Sequence, residues 1–65
     1  MPIVRLDFED IEPLARALDA CVRHGYGCFY YKGETWDWRM GKYALEDLIA
    51  RRDGHAEGEP DEYEL

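Results

Sequence analysis

The sequence predicts a small α+β domain, in which two helices pack on one face of a three-stranded, mostly antiparallel sheet with a central hairpin. Three patterns predict this β-α-β-β-α order: an alternating segment near the start, two segments with apolar residues at helical spacing, and an aromatic-rich stretch. A chain of 65 residues has room for one domain. The 46% hydrophobic and 14% aromatic content is typical of a folded chain.

The first strand and the first helix follow one another at the start of the chain. Residues 3–8 alternate, with every second side chain apolar, which predicts a strand with one buried face. The apolar residues that follow have the spacing of a core-facing helix: Ile11, Leu14, Ala15, Leu18, Cys21 and Val22. Asp10 is expected to cap this helix and Gly25 to end it.

An aromatic stretch, residues 28–38, predicts a β-hairpin with Gly33-Glu34 as its two-residue turn. The resulting register collects four aromatic side chains on the buried face: Phe29, Tyr31, Trp36 and Trp38. Tyr30 lies on the opposite face and is expected to be exposed.

A second helix is predicted over residues 41–53, with Gly54 at its end. Residues 54–65 contain five acids, no basic residue and no periodicity, so we expect a flexible acidic tail. The sequence thus divides into a compact domain, 1–53, and a tail, 54–65.

The charge balance favours some kinds of partner over others. Fifteen acids against eight Lys and Arg residues give a formal net charge of −7. Direct binding to DNA or RNA relies on cations that neutralise phosphates, and an anionic membrane surface would also repel this chain. A basic protein surface is therefore the expected partner.

Few residues suit catalysis or metal binding. The chain has two cysteines, two histidines and no serine, and Cys21 belongs to the apolar stripe of the first helix. A structural metal site needs three or four well-spaced ligands, and nucleophilic catalysis needs an activated nucleophile. We therefore expect no catalytic residues, no metal and no cofactor.

Many of the acids have a basic neighbour at helical spacing, as in Glu12–Arg16 and Asp19–Arg23. The acids outside such pairs could serve solubility alone, or they could imitate a run of nucleic-acid phosphates and occupy a Lys- and Arg-lined channel. Together with Tyr30 as an aromatic anchor, the predicted partner-binding residues are Asp7, Glu9, Glu34, Asp37, Glu57, Glu59, Asp61 and Glu62.

In its size, acidity, compactness and lack of catalytic residues, the whole chain resembles small phage-encoded anti-CRISPR proteins. It is most similar to the short acidic inhibitors of type I surveillance complexes, the type I-C inhibitors among them. The resemblance implies binding to a nucleic-acid-binding Cas subunit in the host cytoplasm, which would block the loading of target DNA.

Two other classes of function remain open from the sequence. An acidic antitoxin or a small regulatory adaptor would also bind a basic protein. A direct nucleic-acid binder would need a basic face that the sequence does not supply. In each protein-binding interpretation the chain is expected to be a cytoplasmic monomer.

Overall fold

The computed structural model describes residues 2–54 and 61–65 of the chain. These residues form a small α+β domain with two helices and two separate antiparallel sheets of two strands each. In chain order the elements are β1 (Ile3–Leu6), a 3₁₀ turn (Phe8–Asp10), α1 (Ile11–His24), β2 (Cys28–Tyr31), β3 (Glu34–Asp37), α2 (Trp38–Asp53) and β4 (Asp61–Glu64).

Helix α1 has the predicted apolar stripe and the predicted C-terminal stop. Gly25 adopts the left-handed conformation that ends the helix, with φ at 72°, and its N–H donates to the last turn. The stripe is buried at Ile11, Leu14, Leu18 and Cys21, whereas Val22 is exposed. The pairs Glu12–Arg16 and Asp19–Arg23 form as predicted on the solvent side.

The start of α1 differs from the prediction. Asp10 precedes the helix, but its side chain makes no capping hydrogen bond to α1. Asp7 caps the 3₁₀ turn instead, accepting from the Phe8 N–H at 2.6 Å, and Asp10 accepts from the Asp7 N–H at 2.8 Å. The prediction of Asp10 as a simple cap is therefore wrong, because its carboxylate is turned toward the hairpin.

The hairpin forms, but its turn is Lys32-Gly33 and not Gly33-Glu34. Both turn residues have positive φ, 52° for Lys32 and 76° for Gly33, as in a type I′ turn that follows the twist of the strands. The register pairs Phe29 with Trp36 and Tyr31 with Glu34. The register therefore differs from the predicted one by two residues, which leaves Phe29, Tyr31 and Trp36 on the buried face. Trp38 lies outside the hairpin.

Trp38 is lost from the hairpin because α2 begins there, three residues before the predicted start at 41. The Asp37 carboxylate accepts from the Arg39 N–H at 2.9 Å, which makes Asp37 the N-cap of α2. A residue predicted to lie in a strand thus also starts the helix. Ala44 and Leu48 bury the inner face of α2.

Strand β4 changes the predicted architecture. It pairs antiparallel with β1, opposing Ile3 to Glu64 and Leu6 to Asp61, so the last residues are not a free tail. The prediction of one three-stranded sheet is not confirmed, because β1 pairs with β4 and the hairpin stands as a second sheet. Residues 55–60, also assigned to the predicted tail, lie outside the described residues.

The core lies between the two sheets and the two helices. Trp36, Leu6 and Leu14 are fully buried at its centre. The ring of Phe29 stacks at 6.2 Å from that of Trp36, and the Trp36 indole N–H donates to the Tyr31 carbonyl at 3.0 Å. The aromatic residues of the hairpin therefore supply much of the core, as the sequence predicts.

Candidate partner-binding surface

Strand β4, at the acidic end of the chain, is held by its pairing with β1 and by one buried aromatic residue. Tyr63 is only 4% exposed and points inward from β4. Its hydroxyl donates to the Asp47 carboxylate at 2.7 Å, and its ring meets that of Tyr43 edge-on. Apolar burial and a charge-assisted hydrogen bond together fix β4 against α2.

Because side chains alternate along a strand, the inward position of Tyr63 turns Glu62 and Glu64 outward. Both are exposed, and the register places them beside Arg5 and Ile3 of β1. Arg5 and Glu62 form an ion pair at 3.2 Å in which both side chains are more than half exposed. We call these four residues the outer face of the β1–β4 sheet; it has two acids and one base.

Further predicted acids lie where β1 ends. The Leu6–Asp61 pair closes the sheet, and Asp7 and Glu9 follow Leu6 in the chain. Asp7 is half-buried and committed to its cap, whereas Glu9 is exposed. The side chain of Asp61 and the residues Glu57 and Glu59 lie outside what the structure describes.

The other predicted residues belong to the hairpin. Glu34 is half-buried beside the turn, and Asp37 lies at the opposite end of β3, about 10 Å away. Tyr30 is 74% exposed and shares the outward face of the hairpin with Asp37. The structure therefore distributes the predicted acids between two sheets.

Asp37 is closely tied to its own helix. Its carboxylate accepts from both the backbone N–H and the Nε of Arg39, at 2.9 and 3.3 Å. These bonds from Arg39 hold the pKa of Asp37 below its usual range, so the carboxylate stays ionised at neutral pH. The charge of Asp37 is therefore largely balanced by Arg39, two residues further along the chain.

An open cleft lies where the first helix ends and the second begins. It has a volume of about 310 Å³ and is lined by Val22, Gly25, Tyr26, Gly27 and Trp38. The Trp38 N–H donates to the Gly27 carbonyl at 3.2 Å, which adds a backbone bond just beyond the Cys28–Asp37 pair of the hairpin. We call this feature the aromatic cleft.

Both aromatic residues of the cleft have polar neighbours. The ring of Tyr26 stacks with that of His24 at 5.5 Å, and the Arg39 guanidinium lies 5.9 Å from the centre of the Trp38 ring. Tyr26 is 62% exposed. The cleft therefore combines accessible aromatic surface with one guanidinium group, that of Arg39, beside it.

A buried carboxylate joins the hairpin turn to the start of α1. Asp10 accepts from the Tyr31 hydroxyl at 2.5 Å and from the Lys32 ammonium at 3.0 Å, and Lys32 also donates to the Arg5 carbonyl. Burial by itself raises the pKa of Asp10, but the bonds from Tyr31, Asp7 and Lys32 outweigh it and lower the pKa overall. The cluster is fully bonded within the chain, which indicates a structural role.

The cysteines have separate environments. The buried Cys21 thiol donates to the Tyr26 carbonyl at 3.0 Å, and burial raises its pKa, so it is a weak nucleophile. Cys28 is exposed on the outward face of the hairpin. Within residues 2–54 and 61–65, no three His, Cys, Asp or Glu side chains come together in an arrangement that could hold a metal ion.

Sequence reasoning missed the anchor Tyr63, the outward Glu64 and the aromatic cleft. A signal for β4 was present, since Glu62, Tyr63, Glu64 and Leu65 alternate between acidic and apolar. Four residues among many acids are a weak pattern. The cleft has no sequence signal, because its residues come from a helix end, a glycine-containing loop and a helix start.

Fold and surface together define a small α+β domain whose acidic C-terminal strand is paired with its first strand. No protein family, curated protein or solved structure matches the chain. Among the described residues, neither helix combines the length and the apolar character that crossing a membrane requires.

Proposed function

We propose that the chain is a stoichiometric protein inhibitor that binds a basic, nucleic-acid-binding surface of another protein. The observation that carries this proposal is the anchoring of β4 by Tyr63, which holds an acidic segment in an extended, outward-facing form. An ordered acidic strand loses less conformational entropy on binding than a flexible tail would.

The spacing of the outward acids supports the proposal. Alternate residues of a strand lie about 6.6 Å apart. Glu62 and Glu64 occupy such alternate positions. The two carboxylates are therefore held several ångströms apart, a spacing similar to that of successive phosphates along one nucleic-acid strand.

The distribution of charge supports it as well. Residues 2–54 contain ten acids and eight basic residues, whereas residues 57–64 contain five acids and no basic residue. Most of the net charge therefore comes from one short segment that ends in β4. Such a segment would speed the encounter with a Lys- and Arg-lined channel and orient the chain on it.

The resemblance to small anti-CRISPR proteins gives the proposal a specific target. The expected partner is a subunit of a type I surveillance complex that contacts target DNA, with type I-C as the first complex to examine. This function belongs in the host cytoplasm and needs neither catalysis nor a cofactor.

A competition experiment tests the proposal. The chain is mixed with a purified type I-C complex before labelled target DNA is added, and DNA binding is measured by fluorescence anisotropy. Near-equimolar chain is expected to abolish DNA binding, with inhibition that weakens between low and high salt. No inhibition at a large excess of chain would refute this target.

Two variants with equal net charge locate the surface. Glu62→Gln with Glu64→Gln removes both outward acids of β4, and Glu12→Gln with Asp19→Asn removes two exposed acids of α1. The β4 variant is expected to weaken inhibition about tenfold and the α1 variant less than about twofold, because only the first alters the proposed contact. Equal losses would show that net charge alone matters and would contradict a role for β4.

The competition experiment also distinguishes inhibition of a type I complex from the alternative function as an acidic antitoxin or adaptor. If the complex is unaffected, the chain can be immobilised and tested for binding to a basic protein that is encoded by a neighbouring gene. A stable, salt-sensitive complex with that product would replace the CRISPR target while leaving the acidic strand as the binding surface.

A further inference from the structure

Strand β4 has one edge against β1 and a second edge on its other side. The Leu65 N–H donates to the Pro2 carbonyl at 3.0 Å, so these two residues face one another as a hydrogen-bonded pair. They lie one position beyond the Ile3–Glu64 pair, and hydrogen-bonded pairs alternate along an antiparallel ladder. The backbone N–H and C=O of Glu64 therefore point away from β1. We call this side of β4, at Glu64, the open edge.

The outer edge of β1 is already in use. By the same alternation the Arg5 carbonyl points away from β4, and there it accepts from the Lys32 ammonium at 3.1 Å. At β4, by contrast, the described residues supply neither a third strand nor a hydrogen bond to the backbone groups of Glu64. An unpaired strand edge is a template for a further strand, so the sheet can be extended at β4.

The charge at the open edge selects the strand that would fit there. The Glu64 side chain is exposed on the outer face of the β1–β4 sheet, and no cation among the described residues pairs with it. A residue opposite Glu64 on an added strand would place its side chain on the same face, where opposite charges stabilise the pairing and like charges weaken it. Lys or Arg therefore suits that position, whereas the acidic β4 of a second copy does not.

The inward side of the sheet is apolar next to the open edge. The residues that flank the one opposite Glu64 would face inward, beside Tyr63 and Leu65, both of which pack into the core. The ring of Tyr43 meets that of Tyr63 edge-on at 6.4 Å and is 60% exposed, so accessible aromatic surface lies on this side. Apolar residues therefore suit the two flanking positions.

We infer that the open edge of β4 binds an extended, basic segment of the partner as an added antiparallel strand. A Lys or Arg of that segment lies opposite Glu64, between two apolar residues that face inward. This inference rests on the proposed function, because it takes the partner to be a basic protein. It adds backbone hydrogen bonds of fixed geometry to the general electrostatic attraction of the acidic strand, as in other cases of strand addition to a sheet edge.

Titration with short peptides tests the inference without the partner. The probe is a blocked peptide of alternating valine and lysine, with two lysines between three valines, and the control has the same composition with its lysines adjacent. NMR follows amide shifts and amide exchange of the full chain. In the free chain the Glu64 amide is expected to exchange rapidly. The alternating peptide should give saturable shifts in β4, with a dissociation constant of about 1–10 mM, and slow that exchange, whereas the control should bind at least about threefold more weakly.

Two variants of one residue separate charge from backbone pairing. Glu64→Gln removes the carboxylate and keeps the N–H, and is expected to weaken binding of the alternating peptide about threefold. Glu64→Pro removes the N–H as well, and a loss of at least about tenfold is expected. The ladder with β1 does not use this N–H, so slow exchange of the Val4 amide should persist in both variants. If proline disrupts the ladder, the comparison of the two peptides on the unaltered chain still decides.

The opposing results are equally clear. A Glu64 amide that is protected in the free chain, equal binding of the two peptides, or no saturable shifts up to about 50 mM would each overturn the inference. In the competition experiment Glu64→Pro is expected to inhibit less than Glu64→Gln. Equal inhibition by these two folded variants would exclude strand addition and leave the proposed function in place. No inhibition by the unaltered chain would refute the proposed target, while the peptide titration would still decide on the open edge.

Discussion

The two sheets of this domain are built in opposite ways. The β2–β3 hairpin joins neighbouring segments through a two-residue turn, whereas β1 and β4 lie at opposite ends of the chain. The hairpin places Trp36 at the centre of the core, and the β1–β4 sheet closes the core with Val4 and Tyr63. The pairing of the first sheet is local in sequence, whereas the second sheet pairs two segments that the rest of the fold must bring together.

This difference separates stability from the proposed function. The hairpin is tied into the domain by a buried indole and by the Asp10–Tyr31–Lys32 cluster. Strand β4 is attached by its pairing with β1 and by the buried Tyr63, and it carries the outward acids Glu62 and Glu64. We therefore expect loss of the buried Trp36 ring to unfold the domain, and changes at the outward acids of β4 to affect binding at a smaller cost in stability.

The largest effect is expected from Trp36→Ala. The indole is fully buried, so its removal should destabilise the domain by about 3–5 kcal/mol. A chain of 65 residues is typically stable by only about 3–10 kcal/mol, so much of the population should unfold. Circular dichroism during urea denaturation measures the loss.

Trp38→Ala is the matched control for Trp36→Ala. Trp38 is partly exposed and lies outside the hairpin face, so a loss of about 1–2 kcal/mol is expected. Equal losses for the two variants would contradict the central position of Trp36 in the core.

Tyr63→Ala tests the attachment of β4. It removes a buried ring and the hydrogen bond to Asp47, and should destabilise the domain by about 3 kcal/mol. Amide exchange in β1 should accelerate, because its pairing partner is released. Tyr43→Ala, which truncates an exposed ring at the same contact, should have a smaller effect; equal effects would show that Tyr63 is not the anchor.

Much of the fold could be predicted because local signals agree with it. Helix α1 combines an apolar stripe with a glycine that ends it, and both features act within a few residues. The hairpin register could not be predicted correctly, because Lys32 adopts a positive φ that non-glycine residues rarely take. Its contacts with Asp10 and the Arg5 carbonyl help to hold it there, and those depend on tertiary structure.

The candidate site was predicted less well than the fold. Charge counting selected Glu9, Asp37 and Glu62, which are exposed, but it could not show that Glu62 would pair with Arg5 or that Asp7 would cap a turn. The acidic segment was expected to be flexible because its composition is polar. In the structure the ring of Tyr63 is buried in the core, Leu65 packs against the core and β4 pairs with β1, and all three contacts depend on tertiary structure.

A smaller effect is expected from Asp10→Asn, which removes the charge that links α1 to the hairpin turn. The bonds from Tyr31 and Lys32 would weaken, and the domain should lose about 2 kcal/mol at neutral pH. Asp19→Asn, in an exposed ion pair, should lose at most about 0.5 kcal/mol. Urea denaturation of both variants measures the difference.

The pH dependence of stability identifies the same carboxylate. Since the pKa of Asp10 is lower in the folded chain than in the unfolded one, its contribution is present above about pH 4 and is lost as the pH falls through the folded value. The wild type should therefore lose more stability than Asp10→Asn between about pH 6 and pH 2. Parallel pH profiles would contradict a stabilising role for the ionised Asp10.

A smaller effect than that of Asp10→Asn is expected from Gly33→Ala, which tests whether the hairpin is specified by its turn. A methyl group on Gly33 meets no atom within 4 Å, so the only cost is the positive φ of 76°, about 1 kcal/mol for a non-glycine residue. Gly27→Ala is the matched control, since its added methyl group also meets open space and its φ is not in the left-handed region. Thermal unfolding should separate the two variants by several degrees. If both melt together, the turn conformation contributes little, and the aromatic packing of Phe29 on Trp36 must set the register of the hairpin.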